Sequence, residues 1–222
     1  MIDQIEEFFS RMNWRVVAIV IAVVVVVSIV FGFVACSGSD QSDQAAPVQL
    51  DEQPRQLQWV SFQGVEVPVA EQGPHSRTEP APTGYDQSPV GAALAAIQAT
   101  IRMSVATDTQ FPKVSSTLLA PGEGRDWFIA NRLRVSTTDP IASKDAPHVL
   151  AYQVTSFKKD TATVDIFTRY PDQSVTVNHT TVAWQAGGDW GLVVPVPSKM
   201  TGSAVESVKG APKEAVVLRP TS

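Results

Sequence analysis

A long apolar run near the N-terminus restricts what this chain can fold into more than any other feature. Residues 16–35 carry one polar side chain, Ser28, and no charge. About 20 helical residues at roughly 1.5 Å each span the ~30 Å hydrocarbon core of a bilayer, and in lipid a helix satisfies its own backbone. We therefore expect a membrane-spanning helix over residues 16–36, in preference to a helix buried in a globular core.

The charges on either side of this run predict its orientation. Arg11 and Arg15 lie just before it, whereas no Lys or Arg follows it until Arg55. Cytoplasmic flanks of membrane helices carry an excess of Lys and Arg. Residues 1–15 are therefore expected in the cytoplasm, and the rest of the chain after the span is expected to be extracellular, as in a single-pass protein of the cell membrane.

The single cysteine, Cys36, lies at the outer end of the apolar run. One thiol can form neither an internal disulfide nor a multi-cysteine metal site. The setting of Cys36 resembles a bacterial lipoprotein box, although Phe33 stands where that box usually has Leu and the run is longer than a cleavable signal core. An uncleaved anchor is favoured, and lipidation of Cys36 remains an alternative.

The charge balance argues against one class of partner. The chain holds 17 Lys and Arg against 22 Asp and Glu, a formal net charge of −5. Proteins that bind nucleic acids through phosphate contacts usually carry a basic excess. Direct nucleic-acid binding is therefore not expected.

Composition divides the chain after the span into three parts. Residues 37–56 are polar with few large apolar side chains, so they are interpreted as a flexible linker. Residues 57–197 carry the periodic apolar patterns of a folded extracytoplasmic domain. Residues 198–222 are rich in Gly, Ser, Lys and Pro with one apolar patch at 215–218, and they are predicted to be a loosely ordered tail.

The first half of the exported domain favours helices. Residues 58–70 are strand-like or extended, and residues 72–88 form a long loop rich in Pro and Gly. Ser88-Pro89 is a helix start, with Ser as N-cap and Pro in the first turn, and an apolar stripe predicts a helix to about residue 106. Two shorter helices are predicted at 113–120 and 125–135, separated by residues 121–124.

The second half favours strands. Four segments rich in Val, Thr and aromatic residues lie at 148–157, 161–170, 174–185 and 189–196. Gly187-Gly188 predicts a tight hairpin turn between the last two, with Trp184 and Trp190 in cross-strand contact. Helices followed by a four-stranded antiparallel meander define an α+β domain with its helices on one sheet face.

Candidate chemistry along the chain is sparse. The three histidines, His75, His148 and His179, lack the spacing of a metal pair, and no G-x-S-x-G nucleophile turn is present. Residues 122–124 are interpreted as a helix break, residues 158–160 as a charged turn, and the Asn178-His179-Thr180 glycosylation pattern lies within a strand. We predict no catalytic, cofactor-binding or metal-binding residues.

The closing hairpin carries a resemblance. Residues 182–192, V-A-W-Q-A-G-G-D-W-G-L, and the helix before them resemble the nuclear-transport-factor-2-like fold over about residues 89–196. That resemblance implies a curved antiparallel sheet wrapped around a long helix, a cone-like domain. Trp184 and Trp190 carry over as fold markers, and no functional residue carries over because this fold serves enzymes, binders and scaffolds alike.

The order of anchor and domain carries two further resemblances. A single span followed by a cone-like domain resembles the bitopic assembly proteins of type IV secretion and conjugation machines. The chain also resembles uncharacterised actinobacterial membrane-anchored proteins found with mobile elements, through G-V-E-V-P-V at 64–69, G-P-H at 73–75, G-Y-D at 84–86, P-V-G-A-A-L at 89–94 and A-P-G at 120–122.

Together these observations predict a non-enzymatic, single-span subunit of a conjugation or type IV secretion-like transport complex, without a cofactor. Its expected partners are the bilayer, other envelope subunits and copies of itself. The alternative is a small-ligand binder or isomerase-like enzyme that uses the cone pocket through a polar group such as Asp165 or Tyr170. A third hypothesis is a substrate-binding lipoprotein attached through Cys36.

Overall fold

The computed structural model describes residues 48–219. The predicted cytoplasmic segment, the span, Cys36 and most of the linker lie outside the described residues, as do the last three residues of the chain. Among residues 48–219, no helix has the length and apolarity needed to cross a membrane.

The described chain is an α+β domain with three α-helices and antiparallel sheet. The elements in chain order are β1 (Gln58–Phe62), β2 (Val65–Val69), α1 (Pro89–Val105), α2 (Phe111–Leu118), α3 (Glu123–Arg132), β3 (His148–Lys158), β4 (Thr161–Arg169), β5 (Val175–Trp184), β6 (Trp190–Leu192), β7 (Val205–Val208) and β8 (Val216–Val217).

Helix α1 begins as the sequence predicts. The Ser88 side chain accepts a hydrogen bond from the Gly91 amide, and Pro89 occupies the first turn. Fifteen of its 17 residues are buried, so the helix is enclosed on nearly all sides and not along one stripe alone. Ala and Gly fill the positions between the bulky residues, which lets β2 pack on the helix together with strands β3 to β6. At Gly91 a Cβ would lie 2.1 Å from the Asp86 carbonyl oxygen.

The main sheet is antiparallel and curved, with strand order β6-β5-β4-β3-β8. Strand β7 pairs with β5 on the edge that β6 also uses, over residues 175–178. The register of β3 against β4 shifts twice, between Val149 and Ala151 and between Val154 and Ser156. Such bulges bend a strand and increase its twist, which curves the sheet.

Residues 58–70 form a hairpin in place of one extended segment. Strands β1 and β2 pair from Gln58–Val69 to Phe62–Val65. Gln63 and Gly64 both have positive φ, 50° and 84°, the mark of a two-residue hairpin turn. Gln is an uncommon residue at such a position, so composition did not reveal the turn.

The hairpin between β5 and β6 is present with a different turn. Trp184 pairs with Trp190, and their rings meet edge to face at 5.1 Å between centroids. The Gly188 amide donates to the Gln185 carbonyl, and among the two glycines positive φ occurs at Gly188 only. The turn therefore spans residues 185–188, and Gly188 supplies the positive φ that closes it.

The residues after 198 are more ordered than their composition predicts. Strand β7 pairs with β5 and strand β8 pairs with β3, at opposite edges of the sheet. The chain between them therefore crosses the sheet, and Val208, Ala211 and Ala215 pack against Leu150 and Phe167 among others. We call residues 205–219 the C-terminal strap. The loosely ordered tail is thus corrected for the residues up to 219, because small apolar side chains at long spacing gave little periodic signal.

Candidate functional site

A cavity of about 50 Å³ lies between α1 and the main sheet. Its walls come from the C-terminal half of α1 and from alternate residues of β4 and β5, which share one sheet face because strand side chains alternate. We call it the inner cavity. Its lining includes Ile97, Thr100, Ile101, Ser104, Ile166, Thr168, Tyr170, Thr176 and Asn178.

A wider cleft of about 380 Å³ adjoins the inner cavity. The two share Ser104, Val105, Pro147 and Tyr170 as lining residues. Residues 135–142 and Asp145 supply most of the remaining wall. We call this the outer cleft, and its shared lining places it beside the inner cavity.

Two buried side chains of the inner cavity have polar atoms without hydrogen bonds. Thr100 on α1 is 7% exposed and Asn178 on β5 is 8% exposed. The Thr100 Oγ1 and the Asn178 Oδ1 lack a partner among the described residues. Buried polar groups are nearly always hydrogen-bonded in folded proteins. The described residues have six such unpartnered atoms, and those of Thr100 and Asn178 are the two that belong to residues lining the inner cavity.

The two polar residues that the sequence offers for a cone pocket are separated by the sheet. Tyr170 lines the inner cavity, and burial raises the pKa of its hydroxyl above the ordinary value, which keeps it neutral. Asp165 lies on the other face, where it pairs with His179 through a 2.6 Å contact between Oδ1 and Nδ1. The expectation of Asp165 in the pocket is therefore wrong, because it precedes the cavity residue Ile166 in a strand.

The inner cavity is lined without a charged or histidine side chain. The outer cleft has two carboxylates, Asp139 and Asp145, and its lining has no Lys or Arg. Among residues 48–219, no cluster of three or more His, Cys, Asp or Glu side chains could hold a metal ion. Proton transfer in the cavity would therefore depend on hydroxyl groups alone, of which Tyr170 is made less acidic by burial.

Asp189 of the closing G-G-D-W motif has a structural part. Its carboxylate accepts hydrogen bonds from the amides of Gly84 at 2.7 Å, Tyr85 at 3.1 Å and Trp190 at 2.9 Å. The Trp190 indole donates to the Asp86 carbonyl at 2.9 Å. The G-Y-D motif at 84–86 is therefore fastened to the hairpin about a hundred residues later, and neither motif supplies a reactive group.

The other histidines and charged motifs also lie outside the cavity. His75 contacts Asp86 at 2.9 Å on the surface, and His148 begins β3 as an exposed residue. Lys159 and Asp160 form the predicted charged turn between β3 and β4, and Lys158 is the last residue of β3, paired with Thr161. The motif at 122–124 opens helix α3, which begins inside it at Glu123, so the break lies one to two residues earlier than expected.

A buried ionic anchor was missed by sequence reasoning. The Arg102 side chain is 1% exposed, forms two hydrogen bonds with the Glu79 carboxylate and stacks on the Phe62 ring at 4.2 Å. The Arg102 Nε also donates a hydrogen bond to the side-chain oxygen of Gln98 at 2.8 Å. An arginine in an Ala-rich helix was the available signal. Its contacts fasten loop 72–88 to α1, so it stabilises the fold and does not enter the cavity.

A group of exposed apolar side chains lies on and just after α3. Trp127 is 37% exposed, Leu133 80% and Val135 40%, whereas Gly124 is the one buried residue of the helix. Phe128 and Ile129 pack against the core and hold the helix in place. We call Trp127, Leu133 and Val135 the α3 patch. Single exposed apolar residues are common, but three within nine residues of sequence are a feature to explain.

The fold and site together define an α+β domain with an uncharged cavity between helix and sheet. The chain belongs to the family described as Domain of unknown function (DUF8175), whose model matches residues 34–212. No curated protein and no solved structure matches it.

Proposed function

We propose that this protein is a non-enzymatic, single-span membrane protein that serves as a structural subunit of a conjugation or type IV secretion-like transport complex. Its extracytoplasmic domain, for which we propose the cone-like nuclear-transport-factor-2-like fold, acts through protein contacts. The apolar run at 16–35 and the polar linker after it support the membrane anchor. The α3 patch is the observation that carries the contact role.

The α3 patch fits a protein contact for physical reasons. Removing Leu133 and Trp127 from water contributes roughly 25 cal/mol for each Å² of apolar surface, and tryptophan is prominent among residues that dominate binding energy. The side chains around the patch carry both signs of charge, with Glu123, Asp126 and Arg134 exposed. A surface of mixed charge can meet its own copy across a two-fold axis, so the partner we assign is a second copy of this domain.

A cysteine crosslink in membranes tests this contact. In a background with Cys36→Ser, Leu133→Cys should form disulfide-linked dimers of the full chain. Ser207→Cys on β7, which is also exposed, is the matched control and should remain monomeric. Dimers from Ser207→Cys at the same yield, or no dimer from Leu133→Cys, would contradict a second copy at the patch.

A transfer assay tests the assembly role itself. Trp127→Ser with Leu133→Ser should abolish passage of the mobile element while DNA processing in the donor continues, because the proposed defect lies in the envelope. Wild-type passage by a stably expressed double variant would reject the α3 patch as a functional contact.

In the crosslinking experiment, linkage of Leu133→Cys to a different envelope subunit would replace the homodimer with a heteromeric contact.

The isomerase-like alternative has less support from the geometry. An enzyme of that kind needs a proton-transfer group in its pocket, worth about 10² to 10⁴ in rate. The inner cavity offers neutral hydroxyl and amide groups, and Asp165 lies on the opposite sheet face.

A further inference from the structure

We infer that the inner cavity is a binding site for the uncharged, hydrogen-bonding end of a small molecule, an alcohol or a carboxamide. The inference starts from Thr100 and Asn178, which approach the cavity from its helix wall and its sheet wall. Each has a buried polar atom that no described residue satisfies. A ligand that contacts both would join α1 to β5.

The chemistry of the two side chains specifies the ligand. A threonine hydroxyl can donate and accept, and the unsatisfied atom of Asn178, Oδ1, accepts. The matching ligand end therefore carries a donor and an acceptor close together, as a hydroxyl or a primary amide does. The Ser104 hydroxyl is already used, because it donates to the Thr100 carbonyl at 2.7 Å.

Charge excludes ionised ligands from the inner cavity. Its lining has no charged side chain to pair with a carboxylate, phosphate or ammonium group, and burying an unpaired ion is strongly unfavourable. In the outer cleft, Asp139 and Asp145 occur without Lys or Arg. The remainder of the ligand is therefore neutral or cationic, and anionic molecules are disfavoured in the inner cavity and in the outer cleft.

Size sets the division of the ligand between the two spaces. The inner cavity, at about 50 Å³, admits a group of a few heavy atoms, whereas the outer cleft of about 380 Å³ reaches the range of small-molecule pockets. Tyr170 lines both spaces, so its ring lies where the inserted end of the ligand meets the remainder. The outer cleft shares Val135 with the α3 patch, but Trp127 and Leu133, the residues changed to test the patch, line neither space, so either proposal can fail alone.

Isoleucine methyl groups provide a direct readout in the full chain. Ile97, Ile101 and Ile166 line the inner cavity, Ile141 lines the outer cleft, and Ile129 on α3 lines neither. With methyl-labelled full-length protein in nanodiscs, acetamide and ethanol should each shift the three inner methyl resonances saturably. Acetate, which matches acetamide in size but carries a charge, should not, and Ile129 should stay unchanged in every titration.

Two near-isosteric variants identify the contacts. Thr100→Val and Asn178→Leu should each weaken acetamide binding by about tenfold, the usual effect of losing one buried hydrogen bond. Thr181→Val, on the other face of β5, is the matched control and should bind as wild type. Equal binding by Thr100→Val and Asn178→Leu would overturn the inference.

The wild-type comparison decides the matter if the variants do not fold. Saturable acetamide shifts at Ile97, Ile101 and Ile166 without acetate shifts support the site. Equal responses to acetate and acetamide, or no saturable response, would mean that the cavity holds water only.

Discussion

The two faces of the main sheet carry opposite kinds of residue. The inner face packs on α1 and encloses a cavity with neutral polar groups, Thr100 and Asn178. The outer face holds the acid–base pair Asp165–His179 and a small apolar cluster covered by the C-terminal strap. Asp165 and His179 thus lie on the sheet face opposite the inner cavity. The inner face therefore offers neutral hydrogen-bonding groups, and the outer face offers charged ones.

Removing the cover of the outer face has the largest expected effect. A chain that ends after Ala204 loses the buried residues Val216 and Leu218 and exposes Leu150 and Phe167. We expect the loss of Val216 and Leu218 alone to lower the free energy of unfolding by about 3–6 kcal/mol, at about 1.5–3 kcal/mol for each large apolar side chain. Urea unfolding followed by tryptophan fluorescence measures this. A chain that ends after Arg219 is the control, and an equal midpoint for both chains would show that the strap does not stabilise the sheet.

Large-to-small substitutions compare the two faces directly. Leu94 on α1 is fully buried, and Leu94→Ala should cost about 3–5 kcal/mol because its surroundings are packed on all sides. Leu150→Ala, beneath the strap, should cost about 2–3 kcal/mol because a single chain segment can close over the space. Denaturation midpoints of the two variants give the difference. A larger loss at Leu150 would reverse the order of the two cores.

The closing hairpin offers a smaller test between adjacent glycines. Gly188 has φ of +78° and Gly187 has no positive φ, while neither Cβ position meets a neighbouring atom. Gly188→Val should therefore cost about 1–3 kcal/mol through backbone strain alone, and Gly187→Val should cost about 1 kcal/mol or less. Thermal unfolding of both variants separates them. Equal losses would indicate that the turn needs flexibility at both positions.

The sequence predicts elements well where a local signal is strong. Ser88-Pro89 marks the start of α1, and the first three predicted strands after Pro147 become β3, β4 and β5 within one residue at every end. The fourth, predicted at 189–196, is shortened to β6 at Trp190–Leu192. The hairpin Trp184–Trp190 is also predicted from its turn. In these elements the residue propensities, the capping or turn residues and the spacing of apolar residues all favour the same structure within a short stretch of chain.

The sequence fails where distant segments determine structure. Strand β8 has two residues, and its pairing with β3 depends on a chain crossing that no local pattern encodes. The inner cavity was also not predictable from local sequence. Thr100 and Asn178 lie 78 positions apart, and neither residue type is unusual in its segment. Asp165 was assigned to the wrong sheet face. Neighbouring residues of a strand point to opposite faces, so the cavity receives Ile166 and not Asp165.

The smallest expected effect comes from the acid–base pair of the outer face. Asp165 and His179 contact each other at 2.6 Å, with 17% and 29% of their side chains exposed. Asp165→Asn keeps the shape of its side chain, and His179→Gln keeps a polar side chain of similar length, so each should change the free energy of unfolding by about 1 kcal/mol. Because neither residue belongs to the α3 patch, passage of the mobile element should remain at the wild-type level in both variants, measured in the same transfer assay as the double variant Trp127→Ser, Leu133→Ser. Glu79→Gln is the control, because it removes the carboxylate that pairs with the buried Arg102. It shows whether loss of a structural ion pair lowers passage in this assay. Loss of passage in Asp165→Asn or His179→Gln, with the protein still folded, would place function on the outer face and make its acid–base pair the site to study.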